Sequence, residues 1–159
     1  MPTDLVLHEE EYQKIRDVIS RLRTECNAKV VFLVDKNGQQ IAANGELEAI
    51  DTTALASLAA GNVAATDSLA RLIGEKEFSI LFHEGEKDNL HISIIGGRVI
   101  LVVIFDARSS LGLVRLRVKK ASDELNKIFD GLMKKVQVPG AGSPFAEITD
   151  DDIDNLFSE

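Results

Sequence analysis

The side chains through which this sequence could do covalent or metal chemistry are three histidines, His8, His83 and His91, one cysteine, Cys26, and a run of carboxylates near the C-terminus. Their spacing argues against such chemistry. His83 and His91 fall on two different strand-like runs and His8 near the N-terminus, an arrangement that builds no metal site, and neither Cys-x-x-Cys nor His-Glu-x-x-His occurs. Asp35-Lys36-Asn37-Gly38 opens as a calcium loop opens, but the later ligands of that loop do not follow. No Gly-x-x-x-x-Gly-Lys-Ser or Gly-x-Gly-x-x-Gly string offers a phosphate cradle. The carboxylates Glu147, Asp150, Asp151, Asp152, Asp154 and Glu159 lie where nothing fixes two of them in the geometry of a general acid and base. The expectation is a protein without catalytic residues, metal or cofactor, which works by binding.

The pattern that points to binding is on the segment from Asp51 to Leu72, read as a helix with Asp51-Thr52-Thr53 as its cap and Gly74 at its close. On a helical wheel, Leu55, Leu58, Ala65, Leu69 and Leu72 form a broad apolar side, expected to lie on a sheet. A second side carries Ser57, Ala60, Gly61, Ala64, Ser68 and Arg71, with Asp67 beside it. A helix needing only solubility would show Lys and Glu there, and Gly weakens a helix by about 1 kcal/mol. Small side chains let another backbone approach closely. This side is therefore expected to dock a second copy of the chain or a different protein.

Around that helix the periodicity predicts a first amphipathic helix from Glu9 to Cys26 and a strand from Lys29 to Val34. A second strand begins at Gln40, joined to the first by an Asn37-Gly38 hairpin turn with both residues at positive φ. Three more strands follow, Glu77 to His83, Leu90 to Ile95 and Val99 to Phe105, then a long helix from Ser109 to Val136. The runs Val30–Val34 and Val99–Phe105 lack polar alternation, so both are expected mid-sheet with helices over each face. The order α-β-β-α-β-β-β-α gives an α+β sandwich, a five-stranded antiparallel sheet with helices on both faces. Phe78, Ile80 and Phe82 line one face of a strand that, at the sheet edge, is a liability when free; pairing with its twin across a two-fold axis would hide it. A homodimer is expected.

With 159 residues and 45% hydrophobic content, the chain suits one core-bearing domain, 1–136, followed by a linker and tail, 137–159. Six of the eight net negative charges fall beyond Lys135, so the domain itself is near neutral. In the tail, Ile153, Leu156 and Phe157 share one helical face and Thr149 stands where an N-cap belongs, so the segment is read as one that folds against a partner. The last predicted helix carries Arg115, Arg117, Lys119, Lys120 and Lys127. In an acidic chain poor in aromatics this is read as a solvated face or a resting place for the acidic tail, not a nucleic-acid site. No signal peptide and no membrane-spanning run is read, Cys26 is expected to be a buried hydrophobe, and a cytoplasmic protein is expected.

Three stretches carry a resemblance to a known family. They are the hairpin from Val31 to Ile41, the helix start Asp51-Thr52-Thr53-Ala54-Leu55-Ala56, and the opening Gly112-Leu113-Val114-Arg115-Leu116-Arg117 of the last helix. With these the chain resembles the roadblock/dynein light chain superfamily. The resemblance covers the whole chain, the Pro139–Pro144 linker included, and the hairpin and the Asp150–Phe157 tail narrow it to the branch of bacterial polarity proteins that act on a Ras-like GTPase. The resemblance implies a homodimer that joins two sheets into one and binds a single GTPase across the paired middle helices, activating hydrolysis without an arginine finger. It also implies a tail, anchored by Ile148, Ile153, Leu156 and Phe157, that touches the GTPase away from the nucleotide and promotes exchange. On this reading Ser57, Ala60, Gly61, Ala64, Asp67, Ser68 and Arg71 meet the GTPase, while Arg71, Arg98 and Arg108 are solvent-facing rather than catalytic. Enrichment at a cell pole and contacts with other polarity proteins are implied too. The alternative from the same family is a scaffold that binds a GTPase or motor without changing hydrolysis.

Overall fold

A computed structural model describes residues 9–137. Residues 138–159, and with them Ile148, Ile153, Leu156 and Phe157, lie outside the described residues, as does His8. The elements run α1 (Glu9–Glu25), β1 (Val30–Asp35), β2 (Gln40–Gly45), α2 (Thr52–Leu72), β3 (Ile80–Glu84), β4 (Asn89–Ile95), β5 (Val99–Phe105) and α3 (Leu111–Gln137). The five strands form one antiparallel sheet in the order β2-β1-β5-β4-β3. Fold class and element order are those read from the sequence.

The sheet is built around the β1–β5 pair, where Phe32 lies opposite Val102 and Leu33 opposite Leu101. Alternation sends Val31, Leu33, Leu101, Val103 and Phe105 to one face, under α1 and α3. It sends Val30, Phe32, Val34, Ile100 and Val102 to the other, under α2. Both strands are buried on both sides, which is why neither shows polar alternation. On α1 and α3 the buried positions Ile15, Val18, Ile19 and Leu22, and Val114, Val118, Ala121, Leu125, Phe129 and Leu132, keep the three-four rhythm of one packed stripe.

Helix ends are fixed by local chemistry. The Asp51 carboxylate accepts from the Ala54 amide at 3.0 Å, an N-cap. Gly74, at φ 82°, closes α2 with its amide on the Arg71 carbonyl and the Glu75 amide on Ala70. At the end of α1 Asn27 takes the left-handed conformation, φ 53°, and the Ala28 amide returns to Arg23. Cys26, just past the helix, is fully buried, and burial pushes its thiol up from the usual range.

Two sequence expectations are corrected. The β1–β2 hairpin exists, but Asn37 does not take positive φ. The Gly38 amide closes a turn on the Asp35 carbonyl, Gly38 alone is at positive φ (90°), and the Asp35 carboxylate accepts from the amides of Asn37 and Gln39. This is a three-residue loop with a glycine bulge, and the aspartate side chain stabilises it in place of a two-residue turn. The edge strand is also shorter than expected, beginning at Ile80, so Phe78 precedes it.

Gly45 ends β2 at φ 127°, and a Cβ there would sit 2.2 Å from the Lys29 carbonyl oxygen. Gly45→Ala is expected to cost at least about 3 kcal/mol through backbone strain and this clash, read as a fall in the urea midpoint with an unchanged slope.

Candidate functional site

The predicted site lies on α2, and the structure rotates that helix relative to the sequence reading. The side against the sheet is Ala56, Ala59, Val63 and Ala70, all buried. The leucines expected there point outward: Leu58 is 71%, Leu69 54% and Leu72 83% exposed. The cause is the sheet beneath. Phe32, Val34, Ile92, Ile100 and Val102 stand up from it, and a helix surface of Ala and Val fits over such a floor more closely than one of Leu. Leu55 alone of the leucine series packs against this cluster, half-buried.

Of the residues expected to meet a partner, Ser57, Gly61, Ala64, Ser68 and Arg71 are exposed, while Ala60 and Asp67 are half-buried. The chain's own hairpin covers those two. A Cβ on Gly38 would lie 3.5 Å from the Ser57 Cα and 3.8 Å from the Ala60 Cβ, and Lys36 pairs with Asp67 at 3.6 Å. Small residues at 56, 57 and 60 therefore serve a close approach within the subunit, and only the flank beyond them is open. That flank carries little polarity. The Ser68 hydroxyl donates back to the Ala64 carbonyl, the Thr66 hydroxyl to Asn62, and Arg71 donates to Ser68 Oγ at 3.3 Å.

The helix thus has two open flanks. One, small and nearly uncharged, adjoins the β1–β2 hairpin. The other, with Leu58 and Leu69, faces the side of the sheet where α2 does not reach and where Leu81, Leu90 and Ile94 are only half-buried. Beyond them lies β3, bonded to β4 alone among the described residues, with Ile80 52% exposed. Phe82 is half-buried and stacks on Phe105, ring centroids 6.2 Å apart. Sequence reasoning missed Leu58, Leu69 and Leu72 as surface residues. The usable signal was the spacing of Ala56, Ala59, Val63 and Ala70, itself one helical face.

Arg98 and Arg108 are tied within the chain. Arg98 pairs with Asp130 at 3.3 Å, and Arg108 with Asp106 at 2.9 Å and Glu46 at 3.1 Å. The Arg108 guanidinium holds the Asp106 carboxyl at about 2. A cavity of about 660 Å³ between the β2–α2 loop and the β3–β4 turn is lined by Lys29, Glu46, Glu48, His83, Asp88 and Leu90 among others, with Lys29 and Asp88 paired at 3.0 Å. It holds none of the residues singled out for partner binding. Among the described residues no group of three or more His, Cys, Asp or Glu is placed to hold a metal ion, and no helix is long and apolar enough to cross a membrane.

His91 is buried at the centre of β4, and neither ring nitrogen has a hydrogen-bond partner among the described residues. Burial, with the nearby Arg115 charge second, pushes its pKa below the usual value.

This arrangement, a three-helix, five-stranded antiparallel sandwich with an open edge strand beside a bare helix face, belongs to a recognised class. Residues 14–105 match the Roadblock/LC7 domain model, and the chain is a member of that family. Within it the chain is an MglB-like roadblock protein, similar to Myxococcus xanthus MglB at 65% identity and a TM-score of 0.76 over 80% of this chain and 96% of that one. It is also similar to the gliding protein MglB of Thermus thermophilus, at 35% identity and a TM-score of 0.75 over 80% and 97%. An uncharacterised protein of Methanocaldococcus jannaschii is 33% identical over 72% of this chain and 99% of its own length.

Two outcomes are expected. A Cβ on Gly61 meets nothing within 4 Å in the subunit. Gly61→Ala should therefore raise stability by about 1 kcal/mol in denaturant titration, while weakening any contact that needs a backbone at that point. For His91, the unfolded ring takes up a proton near pH 6.5 that the buried ring resists, so stability is full above that pH and falls as pH drops below it. His91→Leu should stabilise by about 1 kcal/mol at pH 8 and by more at pH 5.5, read from urea midpoints at the two pH values.

Proposed function

We propose that this protein is a homodimeric regulator of a small Ras-like GTPase of the MglA type, stimulating GTP hydrolysis with no active site of its own, in cell polarity and motility. The observation that carries the reading is the outer surface of α2. Leu58, Leu69 and Leu72 are left in water although burying each would contribute roughly 1.5–3 kcal/mol, and beside them runs a flank that a foreign backbone can approach. Two contacts are assigned to the two flanks. The leucine flank and the β3 edge face a second copy: pairing of edges would extend the sheet and bring the second α2 over Leu81, Leu90 and Ile94. The small flank, Ser57, Gly61, Ala64 and Ser68, together with Arg71, meets the GTPase, with Ala60 and Asp67 supporting it from beneath the hairpin.

Stimulation in this reading comes from reshaping the GTPase, so that the GTPase's own residues reach the nucleotide. Arg71, Arg98 and Arg108 each donate to partners within the chain, which suits a mechanism without an inserted arginine. The segment 137–159 follows the domain 1–136 as a tether, and its residues Ile148, Ile153, Leu156 and Phe157 act on exchange. We place the protein in the cytoplasm, enriched at a pole through other polarity proteins.

Phosphate release from an MglA-type GTPase, with and without the protein, tests the reading: stimulation of at least about ten-fold is expected, from the usual 1–3 kcal/mol of coupling between partners. Binding without stimulation would favour the scaffold reading. Ala64→Arg should leave fold and dimer intact, by circular dichroism and sedimentation, and lower GTPase affinity at least about ten-fold, because a long charged side chain cannot be accommodated in a close helix contact. Unchanged affinity would remove the small flank from the site.

A further inference from the structure

On the sheet face opposite α2, two helices cover five strands and leave the outermost one bare. The buried stripe of α3 lies over β5 and β4, and Arg98 and Asp130 tie the helix to the β4–β5 turn. Nothing among the described residues lies over β3 on this side. Ile80 is half in water, Phe82 is half-buried, and between them and α3 the Ser93 hydroxyl is buried with no partner among the described residues. Helical spacing puts Arg115, Lys119, Ser122 and Asn126 along the flank of α3 above this trough. Arg115 is close enough to His91 to act on its charge. Neither Arg115 nor Lys119 makes an ion pair within the described residues, while Asp130, farther along the same side of α3, is held by Arg98. The result is an apolar floor beside a cationic wall that no acid of the described residues neutralises.

We propose that this trough seats the chain's own acidic segment, Thr149 to Phe157. The match is one of charge, pattern and reach. The segment carries Asp150, Asp151, Asp152 and Asp154 against Arg115 and Lys119, and Ile153, Leu156 and Phe157 at the spacing of a single helical face against Ile80 and Phe82. From Gln137 back to Lys119 is about 27 Å along α3, and the twelve residues from Val138 to Thr149 reach about 40 Å when extended. A third helix on this face would cover β3 as α1 and α3 cover the other strands. Such a short helix does not hold alone, so the trough would supply the packing that orders it. The trough is on the opposite face from the open flanks of α2, and the inference stands whether or not those flanks bind a GTPase.

The test uses the full chain, which contains no tryptophan, with Phe157→Trp as the reporter. Trp emission blue-shifted from that of the free 145–159 peptide, with reduced acrylamide quenching, is expected. Arg115→Glu with Lys119→Glu, both exposed positions, should shift the equilibrium about ten-fold toward the open form, with circular dichroism unchanged. Adding Asp151→Lys and Asp152→Lys to that variant should restore the shielded signal. Peptide-like emission in the unmodified trough would overturn the proposal. So would shielding indifferent to the charge reversals, which would put the segment elsewhere, and shielding lost on dilution, which would give the trough to a neighbouring copy's tail.

Discussion

Five strands spaced about 4.8 Å apart make a sheet about 24 Å wide, and one helix covers about 10 Å of it. Most of what distinguishes this molecule follows from that mismatch. The α1/α3 face has two helices and leaves one strand uncovered; the α2 face has one and leaves more. Burial is most complete where helices stand over both faces, at β1 and β5, and declines toward β3, none of whose residues is fully buried. The incompletely covered side is the same on both faces, so the apolar surface left over is concentrated along one edge.

The composition of α2 is what makes its face usable. A helix that lays alanines and one valine on the sheet sits close to it and keeps its leucines for the outside. The same economy of size operates on the hairpin side, where Gly38 rests on Ser57 and Ala60 and Lys36 reaches Asp67. One helix therefore presents four environments around its circumference: a dry alanine seam, a strip fixed by its own hairpin, an open flank of small residues beyond it, and an apolar strip with no cover in the subunit.

Element order, strand topology class and the central pair were legible because they rest on periodicity, which the backbone imposes locally. Val30–Val34 and Val99–Phe105 announce two buried faces by lacking polar residues, and Asp51 and Gly74 announce the ends of α2 by chemistry that acts over three or four residues. The Asn37-Gly38 pair marked the hairpin but not its turn, because the Asp35 side chain competes for the same amides and selects the longer loop. Arg115 and Lys119 were visible as charges, yet nothing local says which of a helix's cations flank an uncovered strand.

The sequence by itself determined where the elements are, which strands are dry, and that the α2 segment carries small residues in a helical pattern, since each of these depends on neighbours within a turn or a pleat. Only the tertiary structure decided which side of α2 is outside. Hydrophobicity alone ranks leucine as the core residue, but the choice is made by the height of the side chains on a sheet that pairs segments as distant in sequence as Phe32 and Val102, over which alanine fits and leucine does not.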